Sequence, residues 1–127
     1  MKVMIVDDSE VISRKLEESL MEIEGIEVVG IAEDGLQAIA DFTTTDPDII
    51  ILDLMIPKMN GLDVLRNIRL KSKTVTIIVL TNYDQSYFRE LCTSLGADYF
   101  LDKSADFEKV YQICFNKLNP DSNQDTN

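Results

Sequence analysis

The chain has 127 residues, of which 45% are hydrophobic and 28% charged, with a formal net charge of −11. That length and balance suit one globular domain with an adequate core. The acid excess argues against nucleic acid as a direct partner and against an anionic membrane surface, since both need clustered Lys and Arg. No histidine occurs, which removes Ser-His-Asp and Cys-His catalysis and His-ligated zinc.

In chain order, strands are predicted at Lys2–Val6, Glu27–Ala32, Asp48–Leu52, Val75–Leu80 and Tyr99–Leu101. Each is a short, mostly apolar run with polar residues at its ends, as buried strands of a parallel sheet are. Helical patterns fall between and after them, at Glu10–Ile23, Leu36–Thr43, Leu62–Lys71, Gln85–Leu95 and Asp106–Leu118. The flanks carry local signals. Either acid of Asp7-Asp8 could cap the first helix. Asp34 and Gln37 have capping-box spacing, Asn60 and Asp63 repeat it less well, and Asp84 can cap the fourth helix. Gly96 is placed as a helix-stopping glycine, and Pro47 should hold Asp46 extended. Phe107, Val110, Tyr111, Cys114 and Leu118 share one face of the last helix, with Ile113 and Phe115 off that stripe. Cys92 and Cys114 both fall in helices and are expected as buried thiols in a cytoplasmic chain. No apolar run of about 18 residues exists, and the early first strand leaves no room for a signal peptide. Residues 1–118 read as one domain and 119–127 as a disordered tail.

Alternation of this kind predicts an α/β fold: a flavodoxin-like, doubly wound (βα)5 sandwich on a five-stranded parallel sheet. The commonest order is 2-1-3-4-5, with the binding crevice beyond the strand ends at the switch point between strands one and three. That order gathers Asp7, Asp8 and Asp53. Two carboxylates about 4 Å apart repel by roughly 4 kcal/mol at an effective dielectric of 20, and Mg²⁺, which favours one or two carboxylates with waters and a phosphate oxygen, would relieve this. Asp53 lies too far before the third helix to be its cap. Thr81 at the end of strand four and Lys103 after strand five add a hydroxyl and a cation, and the set suggests a phosphoryl site.

These residues resemble the receiver domain of two-component response regulators across about residues 1–118. The resemblance is carried by Val6-Asp7-Asp8-Ser9, by Asp53 through Gly61 (DLMIPKMNG), by Leu80-Thr81-Asn82, and by Gly96 through Lys103 (GADYFLDK). It implies that Asp53 is the phosphoacceptor and that Asp8, Asp53 and the Met55 carbonyl bind Mg²⁺, with Asp7 acting largely through water. It implies that Lys103 and Thr81 contact phosphoryl oxygens, with the N–H groups of Leu54 and Asn82 completing the cradle. Thr81 and Phe100 would be the switch residues. The implied partners are a histidine kinase or histidine phosphotransfer protein, a downstream protein target, and a homodimer or target face on helix four, strand five and helix five. On the first helix, Val11, Ile12 and Lys15 would meet the kinase domain. The implied activity is a phosphoacceptor switch, not a turnover enzyme, and no output domain is seen in the chain. Met55 and Tyr83 would flank the path of attacking water and slow the loss of phosphate.

One departure stands out. Ser104 follows Lys103 where the family commonly has Pro, so a trans bond and a different loop are expected, with Ser104 a candidate cap for the last helix. Two alternatives remain: a degenerate receiver used as a docking module, and a haloacid-dehalogenase-like phosphatase. The second wants an Asp two residues after the nucleophile, where this chain has Met55.

Overall fold

The computed structural model describes residues 1–82 and 86–120. Tyr83, the proposed cap Asp84, the predicted helix start at Gln85 and all of the expected tail beyond 120 lie outside the described residues. The chain runs β1 (Lys2–Val6), α1 (Glu10–Met21), β2 (Glu27–Ala32), α2 (Gly35–Thr45), β3 (Ile49–Leu52), α3 (Gly61–Lys71), β4 (Thr76–Thr81), α4 (Ser86–Ser94), β5 (Tyr99–Asp102) and α5 (Phe107–Leu118). All pairings are parallel and the order is β2-β1-β3-β4-β5. The doubly wound sandwich expected from the alternation is therefore what forms.

Alternate residues of each strand feed two cores. Met4, Val6, Ile50, Leu52, Ile77 and Val79 point to the face covered by α2, α3 and α4, where Ala38, Phe42, Val64, Leu65, Ile68 and Cys92 pack. Val3, Ile5, Ile49, Ile51, Ile78 and Leu80 point to the opposite face, against Leu16 and Leu20 of α1 and Val110 and Cys114 of α5. The strands read as apolar throughout because both faces are covered. Ile113 and Phe115 are half-buried against the second core, so the apolar face of α5 is broader than its stripe. Both cysteines are free and buried, and burial pushes their thiols up, Cys92 to about 11 and Cys114 to about 12.

Local chemistry departs from the predicted pattern in three places. Asp46 is left-handed, at φ 48° and ψ 62°, not extended. Its N–H closes α2 on the Phe42 carbonyl, and the helix stop outweighs the preference of a residue before proline. Asn60 is a fuller cap than its spacing suggested: its Oδ1 accepts from the Asp63 N–H at 3.0 Å, and its amide donates to the Asp63 carboxylate at 3.1 Å. Ser104 does not cap α5; Asp106 occupies that position without a side-chain capping bond.

The end of the sheet away from the strand-end acids is tied by one residue. Arg69, on the last turn of α3, donates to the carbonyls of Gly96, Ser72 and Val75 and to Asp98. These bonds use its five N–H donors. Asp98 in turn accepts the Ile77 N–H at 2.8 Å, which sets β5 against β4. The edge strand β2 slips by one residue along β1: Val3 faces Val28, but Met4 faces Gly30, leaving Val29 out of the ladder.

Candidate functional site

Asp7 and Asp53 each follow the last residue of a central strand, and the sheet continues one bond past that end to hold them. The Asp7 N–H donates to Ala32 O at 3.0 Å, and the Asp53 N–H donates to Val6 O at 2.9 Å. Ser9, not either acid, caps α1, with its Oγ accepting the Ile12 N–H. The carboxylates are thereby free for other work. Asp7 and Asp53 are buried and Asp8 is exposed. One carboxylate oxygen from each lies within 4.8 Å of the others.

Lys103 reaches into this cluster. Its Nζ lies 2.7 Å from Asp7 Oδ2 and 2.9 Å from Asp53 Oδ2. The second oxygens are held by backbone: Asp7 Oδ1 accepts the Ser9 N–H at 2.8 Å, and Asp53 Oδ1 accepts the Met55 N–H at 3.2 Å. Burial raises the Asp7 pKa above the usual carboxylate value and Asp53 adds to that, while the bonds from Lys103 and Ser9 pull the other way. Burial pulls the Lys103 ammonium down, but the two carboxylates outweigh it and the net shift is upward.

The remaining predicted site residues fall into place unevenly. Thr81 is the last residue of β4, fully buried and paired in register with Asp102, and its carbonyl accepts the Lys103 N–H at 3.0 Å. Leu54 is buried, Asn82 is exposed, and the Met55 side chain is more than half exposed at the mouth. Phe100 is buried among the core of the α4 face, with the Arg89 guanidinium 4.9 Å above its ring.

Two glycines matter more than the sequence reading allowed. A Cβ on Gly61 would overlap Leu54 Cα and lie 2.8 Å from Asp53 O, so α3 starts in direct contact with the loop that follows β3. The Gly61 N–H also donates to Leu54 O at 3.0 Å. A Cβ on Gly35 would overlap Met59 O, and the Gly35 N–H donates to Pro57 O. Lys58 takes a left-handed φ of 70° in this loop and pairs with Asp34. The glycines were visible in the sequence, but what they touch was not.

The donor set fits a hard divalent cation such as Mg²⁺: three carboxylates, one of them open to solvent. Replacing Lys103 tests how the acids share that space. A broken buried pair costs about 3–5 kcal/mol, but proton uptake by a carboxylate such as Asp7 trims it. Lys103→Ala is expected to lose about 2 kcal/mol of stability in metal-free buffer. Mg²⁺ should bind it more tightly than it binds wild type, because no ammonium competes. Urea titrations with and without Mg²⁺ measure both.

Residues 3–114 match the family described as response regulator receiver domain. The chain belongs to that family. As a receiver it is 36% identical over 102 residues to the alkaline phosphatase synthesis transcriptional regulatory protein PhoP of Bacillus subtilis (strain 168), covering 80% of this chain and 42% of that one. It is 33% identical over 124 residues to a protein-glutamate methylesterase/protein-glutamine glutaminase of Trichodesmium erythraeum (strain IMS101), covering 94% of this chain and 35% of that one. The receiver thus spans less than half the length of these two relatives. Among solved structures, it resembles the CheX-CheY-BeF3-Mg+2 complex from Borrelia burgdorferi, with a TM-score of 0.82 and 31% identity over 88% of this chain and 84% of that one. It also resembles the response regulator domain of Thermotoga maritima CheB, with a TM-score of 0.80 and 26% identity over 94% of each. The acidic cluster is typical of the receiver phosphorylation site. Among the described residues, no helix is long and apolar enough to cross a membrane.

Proposed function

We propose that this receiver takes a phosphoryl group on Asp53 from a histidine kinase or histidine phosphotransfer protein and thereby switches a protein-binding surface. The observation that carries the reading is the Lys103 ammonium held between Asp7 and Asp53 at 2.7 and 2.9 Å beside the exposed Asp8. An Asp53 carboxylate oxygen attacks phosphorus, the bond to the donor's leaving group breaks with its electron pair, and an acyl phosphate results. Lys103 then exchanges part of its carboxylate pairing for a phosphoryl oxygen. The Thr81 hydroxyl and the N–H groups of Leu54 and Asn82 donate to the others. Positioning and charge neutralisation are most of what phosphoryl transfer requires of a protein.

Asp8, Asp53 and the Met55 carbonyl would hold Mg²⁺ directly, with Asp7 behind them. The ion would supply charge neutralisation to the phosphoryl oxygens. Phosphorylation adds up to two negative charges at Asp53, and Thr81 and Phe100 carry the change toward α4, β5 and α5, the face offered to a target or a second copy. Phe100 is already buried, which supports an inward setting of that switch. Residues 1–118 form the receiver unit, and a cytoplasmic location suits a kinase partner. With Met55 where a phosphatase would carry its second Asp, the chemistry of this site stops at the acyl phosphate and its slow hydrolysis, so the receiver acts as a switch.

Incubation with acetyl phosphate and Mg²⁺ tests this, read by intact mass. One phosphoryl adduct is expected, and none when a chelator is present from the start. A wild type that takes up none would leave a docking module as the better reading.

A further inference from the structure

The loop that carries Lys103 is built by a pair of carboxylates. Asp102 Oδ1 accepts the Ser104 N–H at 2.7 Å and the Ala105 N–H at 2.9 Å. Asp106 Oδ2 accepts the Asp102 N–H at 3.0 Å, and the Asp106 N–H returns to Asp102 O at 2.8 Å. On the other side, Lys103 itself donates its N–H to Thr81 O. The backbone is therefore tied immediately before, at and after the lysine. A proline at position 104 could not make the bond that the Ser104 N–H makes to Asp102 Oδ1, because proline has no N–H to donate. No cis peptide occurs among the described residues.

This matters because of the lysine's length. A four-carbon side chain loses much rotamer freedom when its ammonium is held on two carboxylates, and a loose backbone would add to that cost. Fixing the Cα lets Nζ reach both Asp7 and Asp53. We propose that Asp102, latched by Asp106, is the positioning residue that holds Lys103 in place for phosphoryl transfer, replacing a proline ring with hydrogen bonds. The proposal rests on the reading of Asp53 as phosphoacceptor. The simpler role, a turn-former with no bearing on Lys103, is what the test must separate from it.

The experiment is the rate of labelling by acetyl phosphate with Mg²⁺, read by intact mass, in wild type, Asp102→Ala, Asp102→Asn, Lys103→Ala and the Asp102→Ala/Lys103→Ala double variant. Displacements of about 1 Å at a reacting group can cost on the order of a hundredfold, and a loosened tether should cost on the order of tenfold. Asp102→Ala is expected to slow labelling on that scale. Asp102→Asn keeps an oxygen that can accept both N–H groups and should stay within about twofold of wild type. In the Lys103→Ala background, Asp102→Ala should slow nothing further. Wild-type speed in Asp102→Ala, or the same slowing with and without Lys103, would overturn the positioning role and leave Asp53 as acceptor. An unlabelled wild type would overturn both. If circular dichroism shows Asp102→Ala unfolded, Asp106→Ala enters the same cycle, with about threefold slowing expected and the same outcomes deciding.

Discussion

Asp53→Asn should carry no phosphoryl group under conditions that label wild type to completion. The substitution is nearly isosteric and leaves an oxygen to accept from Lys103, which now sits 2.9 Å from Asp53 Oδ2. What it removes is the anionic nucleophile, since a neutral amide oxygen does not displace a leaving group from phosphorus. It also removes one of three acids gathered within 4.8 Å, so Mg²⁺ should bind more weakly. Stability should move little, by about 1 kcal/mol or less, because a lost ion pair is set against relieved repulsion and a smaller desolvation penalty. Intact mass, Mg²⁺ titration and urea unfolding on the same preparation separate the chemical loss from any loss of fold. Equal labelling of wild type and variant would place the acceptor elsewhere.

Gly61→Ala should damage both the fold and the site. The three nearest contacts a methyl group would make are with backbone: an overlap with Leu54 Cα, Asp53 O at 2.8 Å and Leu54 O at 2.9 Å. None of these three atoms belongs to a flexible side chain that could swing aside. Either α3 lifts from the sheet, pulling Val64, Leu65 and Ile68 from the core, or the strand end carrying Asp53 shifts. Overpacking usually costs 1–3 kcal/mol, and a rigid backbone obstacle puts the expectation at its upper end, about 3 kcal/mol. Even in urea-free buffer, the folded fraction should bind Mg²⁺ less tightly, because the Met55 N–H and the Asp53 carboxylate share that loop. Gly35→Ala is a useful comparison, since it presses on Met59, farther along the same loop. A wild-type melting temperature with intact Mg²⁺ affinity in Gly61→Ala would show that the loop yields without consequence.

The strands and the acids at their ends were legible because a period of apolar runs reports burial on both faces directly. Strand order then followed from how parallel sheets are wound, and with it the meeting of Asp7, Asp8 and Asp53. The details that the sequence left open share a different cause: they depend on which of several competent groups wins a partner. Ser9 and the two acids could all have capped α1, and only the fold shows Ser9 in that role while Asp7 accepts the Ser9 N–H. Asp46 faced opposing demands from its helix and from Pro47. Arg69 takes its partners from residues 72–75 and 96–98, which only the folded chain brings beside it. Lys103 was expected near phosphate, but its hold on two carboxylates at once required distances that spacing does not encode. The Asp102–Asp106 pair was hidden for the same reason, within a stretch whose most visible feature was an absent proline.

The slip at Val29 bears on how this chain behaves in a crowded solution. An outer strand with regular spacing is a template on which another chain can lay its own strand. In β2 the alternation between Val28 and Gly30 is interrupted, and an inserted residue bends a strand and increases its local twist. An incoming strand can keep step with only one half of β2 at a time. The irregularity thus makes the half-exposed edge of Val28, Val29 and Ile31 a poor seed for edge-to-edge aggregation.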